Sequence, residues 1–550
     1  MKLFFPGTRT SLLRDNSGRV WASAYSARAS PYACLHHLTM MAAVSAHPTT
    51  STPKRRKVEA FSEDPATQTN RKLKQPPAML TGKSIELTNV ENRLRRLLLD
   101  VADYTENPLK SSTGDSGNKT LQDKKDIKLE LRFTGGWVRD KLLGFGSQDI
   151  DVSINKMTGL QFGTKLKEYL QDKGNLFKHI SDEENPEAAE KLLCGNLYKI
   201  AANPEKSKHL ETVTIKILGL DIDLVNLRKE TYTEQSRNPQ MEFGTPEEDA
   251  LRRDATVNAM FYNLTSSEVE DFTKLGMSDM ENHVIRTPLD PYQTFKDDPL
   301  RVLRLIRFAT RLGYTIGPAA EAAMSDPEIQ GALTHKITRE RVGKEIEKML
   351  KGKDPRGALH LIDRLGLYRT IFDDPNVSVD YKPDIEALEP AYNILFTLNF
   401  ADKDAQSAYS LTRLLLRDAE ERYLSWVLCA MMPWADAPAI EDAKKAGKQP
   451  QLRAVSVARE GIKATNKVCD ILGASIDNSP EMISLKDKFV KQIAKSKRNV
   501  AAEDDVTTRE NLGMAIRRWG SSWRSQMVFA IMYDIAHSSS DIDSTEGYLD

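Results

Sequence analysis

The sequence predicts an α+β protein in which a small α/β head precedes a long helical remainder. Acidic and apolar residues alternate at 149–154 (DIDVSI) and again at 219–227 (GLDIDLVNL). A period of two is typical of β-strands, because successive side chains point to opposite faces. From about Pro246 onward the apolar residues recur at helical spacing instead, and no strand-like segment of comparable quality follows.

Composition is that of a soluble globular protein with more than one domain. The chain has 550 residues, of which 40% are hydrophobic and 28% charged. Its 78 basic and 78 acidic residues balance, so any nucleic-acid surface must be a local patch. No apolar stretch approaches the ~18 residues of a membrane span. Four widely spaced cysteines predict neither a disulfide framework nor a zinc site.

The N-terminal region carries two candidate targeting signals. Residues 1–39 are rich in Arg and Ser and contain one acid, Asp15, which is typical of a mitochondrial presequence. Translation starting at Met40 or Met41 would remove that signal. A compact basic run, PKRRKVE at 53–59, then resembles a nuclear-import signal. We expect a protein of mitochondrion, cytoplasm and nucleus; the alternative is a disordered basic tail with no targeting role.

The head contains a candidate metal and phosphate site. Asp149 and Asp151 lie at i and i+2 of a predicted strand, so their carboxylates share one face. Such hard oxygen ligands suit Mg²⁺, which is usually held by one or two carboxylates plus substrate phosphates. Just upstream, Gly135 and Gly136 predict a turn before a short helix at 137–143. A glycine turn at a helix start favours phosphate, so the two features together indicate nucleoside triphosphate chemistry.

A second pair of acids repeats the alternation further along the chain. Asp221 and Asp223 belong to a predicted strand that follows another across a turn at Gly219, as in a hairpin. We expect Asp223, rather than Asp221, to complete a carboxylate cluster with the first pair. A solvated surface acid is the alternative at either position.

Residues 247–263 (EEDALRRDATVNAMFYN) form a second candidate group, which we predict to be helical. Arg252 and Arg253 are adjacent, so they point in different directions on a helix. One can face a ribose or a triphosphate while the other pairs with an acid such as Asp254. Asn258 lies four residues after Asp254, on the same helical face, where it can bind a sugar hydroxyl. An ordinary charged helix is the alternative.

Residues 297–314 predict a well-defined amphipathic helix with Asp297 as its N-cap. Asp298 and Arg301 lie at i and i+3, so their side chains are neighbours. Cytosine and adenine both present an amine donor beside a ring acceptor, which an Asp–Arg pair can match. Uracil and guanine present the reverse order, and each unmatched buried polar group costs ~1–3 kcal/mol. The pair therefore predicts selection of C and A without a template.

Two further features accompany this pair. Arginines at 301, 304, 307 and 311 recur every three or four residues and predict a basic ridge along the helix. A similar acid-acid-x-x-Arg string occurs earlier, at Glu248-Asp249-Ala250-Leu251-Arg252. We favour the later string for base selection, because a well-capped helix with a one-sided apolar face follows it.

Taken in order, these motifs resemble those of class II tRNA nucleotidyltransferases, the CCA-adding enzymes, of eukaryotic type. Residues 133–154 resemble the catalytic motif of that family, and 251–263 its ribose-reading motif. Residues 297–308 resemble the amino-acid template Glu-Asp-x-x-Arg, with Asp297 in place of the Glu. The hinge motif and the last motif are matched at 271–288 and 337–350.

The resemblance implies sequential addition of two CMP and one AMP to tRNA 3′ ends from CTP and ATP. Asp149 and Asp151, with Asp223, would hold two Mg²⁺ ions. The implied nucleotide-binding residues are Gly135, Gly136, Arg139, Asp140, Arg252, Arg253, Asp254, Asn258, Asp298, Arg301 and Arg304. tRNA is the implied partner of a monomer or homodimer without membrane association.

The resemblance also implies a domain order and leaves alternatives open. We expect a targeting region at 1–60, a linker at 61–83, a polymerase-beta-like catalytic head at 84–230, a nucleotide-selecting helical neck at 231–315, a body at 316–380 and a tRNA-binding helical body and tail at 381–550. A poly(A) polymerase of the same superfamily shares the head motifs. A catalytically dead RNA-binding protein is the alternative of another class, although no metal carboxylate is lost.

Overall fold

A computed structural model describes most of the chain in separate segments. They are residues 11–14, 20–23, 84–107, 128–180, 193, 197–200, 212–233, 236–377, 381–400, 411–440, 450–497 and 508–538. The predicted targeting region lies outside them apart from two antiparallel strands, β1 (Ser11–Arg14) and β2 (Val20–Ser23). The predicted linker at 61–83 lies outside the described residues entirely.

The chain divides into two compact units. The sheet unit comprises Asp64–Glu345 and Arg364–Thr370, and the helical unit comprises Met1–Glu63, Ile346–Asp363 and Ile371–Asp550. The predicted α+β class, with a sheet-containing head and a helical remainder, is confirmed. In the part of the chain that the structure describes, no helix combines the length and hydropathy needed to cross a membrane.

One mixed sheet organises the sheet unit. The described strands of this unit, whether inside or outside the sheet, are β3 (Leu131–Thr134), β4 (Asp149–Ile154), β5 (Leu197–Ile200), β6 (Thr212–Ile217), β7 (Leu220–Asn226), β8 (Arg228–Thr233), β9 (Ser236–Phe243), β10 (Phe261–Asn263), β11 (Val269–Glu270), β12 (Val284–Ile285) and β13 (Thr315–Ile316). Seven of these described strands form the sheet, in the order β11-β10-β3-β4-β7-β6-β5. Only β4 and β7 run parallel among its neighbouring pairs.

The described helices of the sheet unit lie before, between and after these strands along the chain. They are α1 (Asn89–Glu106), α2 (Gly136–Leu142), α3 (Gly159–Gln171), α4 (Lys173–Phe177), α5 (Pro246–Leu251), α6 (Gly276–Glu281), α7 (Pro291–Asp297), α8 (Leu300–Leu312), α9 (Pro318–Met324) and α10 (Pro327–Lys336). Helix α3 packs against β6, β7 and α1. Gly159 permits this contact, because a Cβ there would lie 2.2 Å from the Leu224 carbonyl oxygen.

Helix α1 fixes the helix that follows the glycine turn. Its apolar residues Leu94, Leu97, Leu98 and Val101 are fully buried, whereas Val90 at its start is exposed. The buried Glu91 accepts hydrogen bonds from Lys141 Nζ at 2.6 Å and from Trp137 Nε1 at 3.3 Å. Trp137 also lies edge-on to Phe133 of β3, with 4.8 Å between ring centroids. These contacts anchor α2 directly beside the turn.

The predicted hairpin at 213–227 is confirmed. Strands β6 and β7 pair antiparallel, and the connecting residues Leu218 and Gly219 have φ values of 53° and 78°. Positive φ at both central positions is the two-residue turn that matches the twist of a hairpin. The hairpin places Asp221 and Asp223 on the strand next to β4.

The prediction that the chain stays helical from about Pro246 onward is wrong at four short strands. Strand β10 pairs with β3 and β11, and β12 pairs parallel with β13. These strands have two or three residues each, which is too short for an alternating pattern to be recognised. Pairing with β3, and not local propensity, determines the strand at Phe261–Asn263.

The remaining described helices follow α10 along the chain. Three contain the residues at which the units are divided: α11 (Arg339–Leu350), α12 (Pro355–Arg364) and α13 (Tyr368–Ile371). The helical unit then contains α14 (Leu388–Phe400), α15 (Leu411–Leu415), α16 (Ala419–Met431), α17 (Arg453–Gly461), α18 (Asn466–Lys497), α19 (Arg509–Trp519) and α20 (Trp523–Ser538). Helix α20 packs against α14, α16 and α18. Trp519 is buried and donates to Glu481, as expected of a bundle tryptophan.

Candidate active site

Two parallel strands bring four aspartates onto one face of the sheet. In the register of β4 and β7, Asp149 lies opposite Asp221 and Asp151 opposite Asp223. Side chains of paired residues point to the same side, and alternate residues share a face. The intervening Ile150 is buried on the opposite face, whereas Asp149 and Asp151 are exposed. The predicted strand and its acidic face are therefore confirmed.

The surroundings of Asp151 disfavour its negative charge. The residue is exposed, yet protein atoms lie densely around its carboxylate. Partial burial there raises the pKa of Asp151 to about 6; Arg253 opposes the rise, and Asp223 and Asp149 add to it. Asp223 in turn accepts a hydrogen bond from Thr214 Oγ1 at 2.6 Å. Crowded carboxylates of this kind are stabilised by a nearby cation.

The donor set fits magnesium held partly by substrate. Among the described residues, no group of three or more His, Cys, Asp or Glu side chains is arranged to hold a metal ion. Asp223 is therefore not gathered with Asp149 and Asp151 into a preformed three-carboxylate cage. Mg²⁺ does not require one, because it keeps several waters and commonly takes one or two carboxylates plus substrate phosphates. The exposed pair Asp149 and Asp151 provides hard oxygen ligands of that kind.

The glycine turn touches both the acid and an arginine. Gly135 follows β3 directly and has φ 73° and ψ −135°, a conformation that favours glycine. A Cβ at Gly135 would lie 3.2 Å from Arg253 Nη1 and 3.4 Å from Asp151 Oδ2. Helix α2 begins at the next residue, Gly136, which is one residue before the predicted start at 137. The glycine turn, Asp151 and the predicted nucleotide-binding residue Arg253 thus lie next to one another.

Arg139 and Asp140, predicted to bind nucleotide, lie in a buried ion-pair network. They are 2% and 7% exposed. Arg139 Nη2 lies 2.7 Å from Asp140 Oδ1, and Arg139 Nη1 donates to Asn258 Oδ1. Arg311 Nη2 donates to the other Asp140 oxygen at 3.0 Å. Direct nucleotide contact stays a prediction for this pair; the geometry gives it the role of joining α2 to α8.

The predicted helix at 247–263 is wrong in its second half. Helix α5 ends at Leu251, a single 3₁₀ turn occupies Thr256–Asn258, and β10 follows. Arg252 and Arg253 therefore occupy the end of a short helix, and Asn258 lies on the 3₁₀ turn.

Two acids outside the predicted set orient the adjacent arginines. Arg252 donates from Nε to Asp249 Oδ1 at 2.9 Å and from Nη1 to Glu230 Oε1 at 3.0 Å. Arg253 donates from Nη2 to Asp249 Oδ2 at 2.9 Å and from Nη1 to the Asn258 carbonyl oxygen at 3.0 Å. Both guanidinium groups therefore bind one carboxylate, that of Asp249, through its two oxygens.

Asp254 pairs with Arg304 rather than with either adjacent arginine. Arg304 Nε donates to Asp254 Oδ2 at 2.6 Å, and Asn258 Nδ2 donates to Oδ1 at 3.3 Å. Burial opposes ionisation of Asp254, but Arg304 and Asn258 outweigh it and lower the pKa of Asp254 to about 2. The guanidinium of Arg304 also lies 5.5 Å from the Phe308 ring centroid. Asp254 and Asn258 thus tie the 3₁₀ turn to α8.

Helix α8 begins later than predicted, so the proposed N-cap is wrong. Asp297 is the last residue of α7, and its carboxylate accepts from Gln293 Nε2 at 2.7 Å. Asp298 and Pro299 lie between the helices, and Asp298 Oδ1 accepts from the Leu300 backbone N–H at 3.3 Å. Asp297 belongs to the last turn of α7. The sequence pattern of α8 alone does not predict this.

Arg301 reaches the loop that carries the adjacent arginines. It is 8% exposed, and its Nη2 donates to the Arg252 carbonyl oxygen at 2.7 Å. Glu230 Oε2 lies 3.9 Å from the same nitrogen. The predicted base-selecting residue and the predicted ribose-reading segment are therefore in direct contact, while base selection itself stays a prediction.

Comparison with known proteins decides the family. The chain is 40% identical over 461 residues to the mitochondrial CCA tRNA nucleotidyltransferase of Saccharomyces cerevisiae, covering 81% of this chain and 77% of that one. It is 42% identical over 477 residues to the nucleotidyltransferase lcsQ of Purpureocillium lilacinum, covering 84% and 73%. The chain belongs to the CCA tRNA nucleotidyltransferase family. It is accordingly a nucleotidyltransferase.

Two family models match parts of the chain, and a solved structure shares its fold. Residues 131–286 match the model of the poly A polymerase head domain, and 313–380 match that of the probable RNA and SrmB-binding site of polymerase A. A CCA-adding enzyme in apo form shares the fold with a TM-score of 0.51 at 19% identity, covering 83% of this chain and 84% of that one. The head match includes Gly135, Asp149, Asp151 and the segment around Arg252.

Sequence reasoning on this nucleotidyltransferase missed Asp249 and Glu230 as site residues. Asp249 was visible in the earlier acid-acid-x-x-Arg string, where Asp249 and Arg252 have the i and i+3 spacing of neighbours on a helix. Glu230 lies on β8, outside the sheet, and only tertiary contact brings it to Arg252. No local pattern distinguishes Glu230 from a surface acid.

The turn geometry predicts unequal effects for the two adjacent glycines. Alanine at Gly135 would occupy a strained conformation that costs about 1–3 kcal/mol and would press on Arg253. We expect Gly135→Ala to lower the rate of nucleotide incorporation by at least about tenfold. Gly136→Ala is the matched control, since Gly136 lacks a positive φ and its Cβ would make an ordinary 3.4 Å contact with Arg139. Equal rates for both variants would contradict the assigned role of the turn.

Proposed function

We propose that this nucleotidyltransferase adds CCA to tRNA 3′ ends, using CTP and ATP, without a nucleic-acid template. The observation that carries the proposal is the meeting of Asp151, Gly135 and Arg253 at one point, with Asp149 on the same face. Two exposed acids beside an arginine and an open turn suit a metal-bound triphosphate. The yeast relative named as a CCA tRNA nucleotidyltransferase supports the choice of product.

The residues of the site would have different roles in nucleotidyl transfer. Asp149 and Asp151 would hold two Mg²⁺ ions. When bound, these ions lower the pKa of the primer 3′-hydroxyl and stabilise the leaving pyrophosphate. The primer oxygen forms a bond to the α-phosphorus, the α–β bridging bond breaks, and the hydroxyl proton passes to solvent. Arg253, which is 16% exposed at its side chain and held beside the turn, would orient the triphosphate.

Nucleotide choice would depend on Asp298 and Arg301. The half-buried Asp298 carboxylate would accept from the exocyclic amine of C or A, and Arg301 would donate to the ring nitrogen. The hydrogen bond from Arg301 to the Arg252 carbonyl holds that guanidinium beside the ribose-reading segment. Asn258 and Arg252 would contribute to ribose or phosphate contacts from the same side.

A poly(A) polymerase activity is the nearest alternative, because the head match is to a domain of that name. Product length distinguishes the two activities. We expect the purified protein, given tRNA lacking its 3′ end with CTP and ATP, to add three nucleotides. A long ladder of A would overturn CCA addition, and no extension at all would favour an RNA-binding protein without activity.

The third carboxylate can be assigned by comparing neighbours on β7. Asp223 lies opposite Asp151 and is bonded to Thr214, whereas Asp221 lies opposite Asp149 with its side chain 49% exposed beside Lys216. We expect Asp223→Asn to reduce nucleotide incorporation by at least about tenfold and Asp221→Asn to change it little. Rates measured over a range of Mg²⁺ concentrations test this, and the reverse order of effects would contradict the assignment.

Partners, domains and location follow from the same proposal. We infer tRNA as the partner of the helical regions after 315, which the match to an RNA-binding model at 313–380 supports. The mitochondrial relative supports import into mitochondria. We further propose that residues 1–39 direct this import and that an internal start at Met40 or Met41 gives nuclear and cytoplasmic forms. The head, neck, body and tail divisions of the sequence analysis are proposed with it. Oligomeric state, monomer or homodimer, is testable by light scattering.

A further inference from the structure

Four arginines meet two acids beside the active site. We call them the arginine cluster: Arg228, Arg252, Arg253, Arg301, Glu230 and Asp249. Within this group, four guanidinium groups lie close to two carboxylates. Arg228 Nε donates to Glu230 Oε1 at 2.8 Å, and burial, reinforced by Arg252, lowers the pKa of Arg228 to about 10. The cluster is thus crowded with cations and poorly solvated.

Asp249 divides its two oxygens between the two adjacent arginines. It is 1% exposed. Oδ1 accepts from Arg252 Nε at 2.9 Å and from the Arg228 backbone N–H at 3.3 Å. Oδ2 accepts from Arg253 Nε at 3.1 Å and Nη2 at 2.9 Å. One buried carboxylate therefore fixes two guanidinium groups and one end of β8.

The two arginines lead from Asp249 to different parts of the site. Arg253 Nη1 lies beside the turn at Gly135, within the electrostatic reach of Asp151. Arg252 presents its carbonyl oxygen to Arg301, the predicted base-reading residue. Asp249 thus supports both Arg253, which lies next to Asp151, and the Arg252 segment, which contacts Arg301.

We propose that Asp249 is a positioning residue that couples nucleotide choice to the catalytic acids. It touches neither substrate nor metal; it holds Arg253 against the turn and the Arg252 segment against Arg301. This inference rests on the proposed function. It also gives a role to the earlier acid-acid-x-x-Arg string: Asp249 and Arg252 use their i and i+3 spacing to build the site rather than to read a base.

The main test replaces Asp249 by asparagine and measures both nucleotide discrimination and rate. The amide leaves an acceptor for one arginine and places an N–H₂ donor against the other. A hydrogen bond to a charged group contributes about 1.5–3 kcal/mol. We therefore expect Asp249→Asn to lower kcat/KM for both CTP and ATP by about 10- to 100-fold, with a matching loss of discrimination against UTP and GTP.

A matched control loses the same charge on the same helix. Glu247 is exposed on α5, so Glu247→Gln should keep kcat, KM and discrimination within about twofold of the parent. Thermal melting of each variant shows whether the fold is retained. A variant that is only less stable would keep its discrimination among folded molecules, and that result would overturn the coupling.

A second variant keeps the test decisive if Asp249→Asn does not fold. Arg253→Lys retains the charge but loses the forked contact with Asp249. We expect it to lower kcat/KM in the same way, and in a double-mutant cycle its effect should be smaller when Asp249 is already asparagine. Fully additive effects would overturn the proposal. If the parent protein adds no nucleotides, the proposed function has failed; if the parent adds CCA and Asp249→Asn matches it, this inference alone has failed.

Discussion

We expect the Asp151→Ala variant to lose incorporation of both CMP and AMP by about a thousandfold or more while still binding tRNA. Asp151 lies at the meeting point of the turn, Arg253 and the acidic face, and its loss removes half of the exposed carboxylate pair. Metal ions contribute several kcal/mol of charge stabilisation to transfer reactions, and about 4 kcal/mol corresponds to a thousandfold. Single-turnover incorporation with each nucleotide measures the loss.

Binding provides the control for this variant. A filter-binding assay with tRNA lacking its 3′ end should give a Kd close to that of the parent, because the phosphate contacts of tRNA would be spread over the helical regions. Asp221→Asn serves as a neighbouring change on the same sheet face. Normal incorporation by Asp151→Ala, or equal loss in the two variants, would remove the metal assignment.

We expect Arg301→Ala to relax base choice more than it weakens triphosphate binding. Arg301 is buried, and its guanidinium bonds to the Arg252 carbonyl oxygen, close to where a base would be read. Two unmatched contacts at ~1–3 kcal/mol each normally reject U and G, so losing one partner should lower the selectivity for C and A by about 10- to 100-fold. Competition between CTP and UTP on one primer measures this ratio.

Arg311→Ala is the control on the same helix. Arg311 pairs with Asp140, and its side chain is 52% exposed, so its removal should leave the CTP-to-UTP ratio unchanged. If selectivity survived in Arg301→Ala, the base-reading role would be wrong. If selectivity fell equally in both variants, general loosening of α8 would explain the result instead.

Long regular patterns in the sequence predicted structure correctly. The alternation in β4 and in the strands of the β6–β7 hairpin repeats over enough residues to identify one element type. The alternation also predicted that the side chain of Ile150 is buried and that the side chain of Asp151 is exposed. These features depend on local periodicity, which the chain retains whatever packs against it.

Other features depend on partners that are distant in sequence. Strand β10 forms because β3, which lies far earlier in the chain, offers it an edge. Arg139 and Asp140 carry the right residue types for a ligand, yet tertiary packing buries them against Asn258 and Arg311. Charged side chains can meet solvent, substrate or one another, and their spacing alone does not choose among these.

Anomalous diffraction from Mn²⁺ tests the metal site most directly. Crystals would contain the protein, tRNA lacking its terminal nucleotides, a non-hydrolysable CTP analogue and Mn²⁺ in place of Mg²⁺. We predict anomalous peaks about 2.0–2.2 Å from carboxylate oxygens of Asp149 and Asp151, with analogue phosphates completing the coordination. Peaks elsewhere, or carboxylates turned away from the analogue, would contradict nucleotidyl transfer at this site.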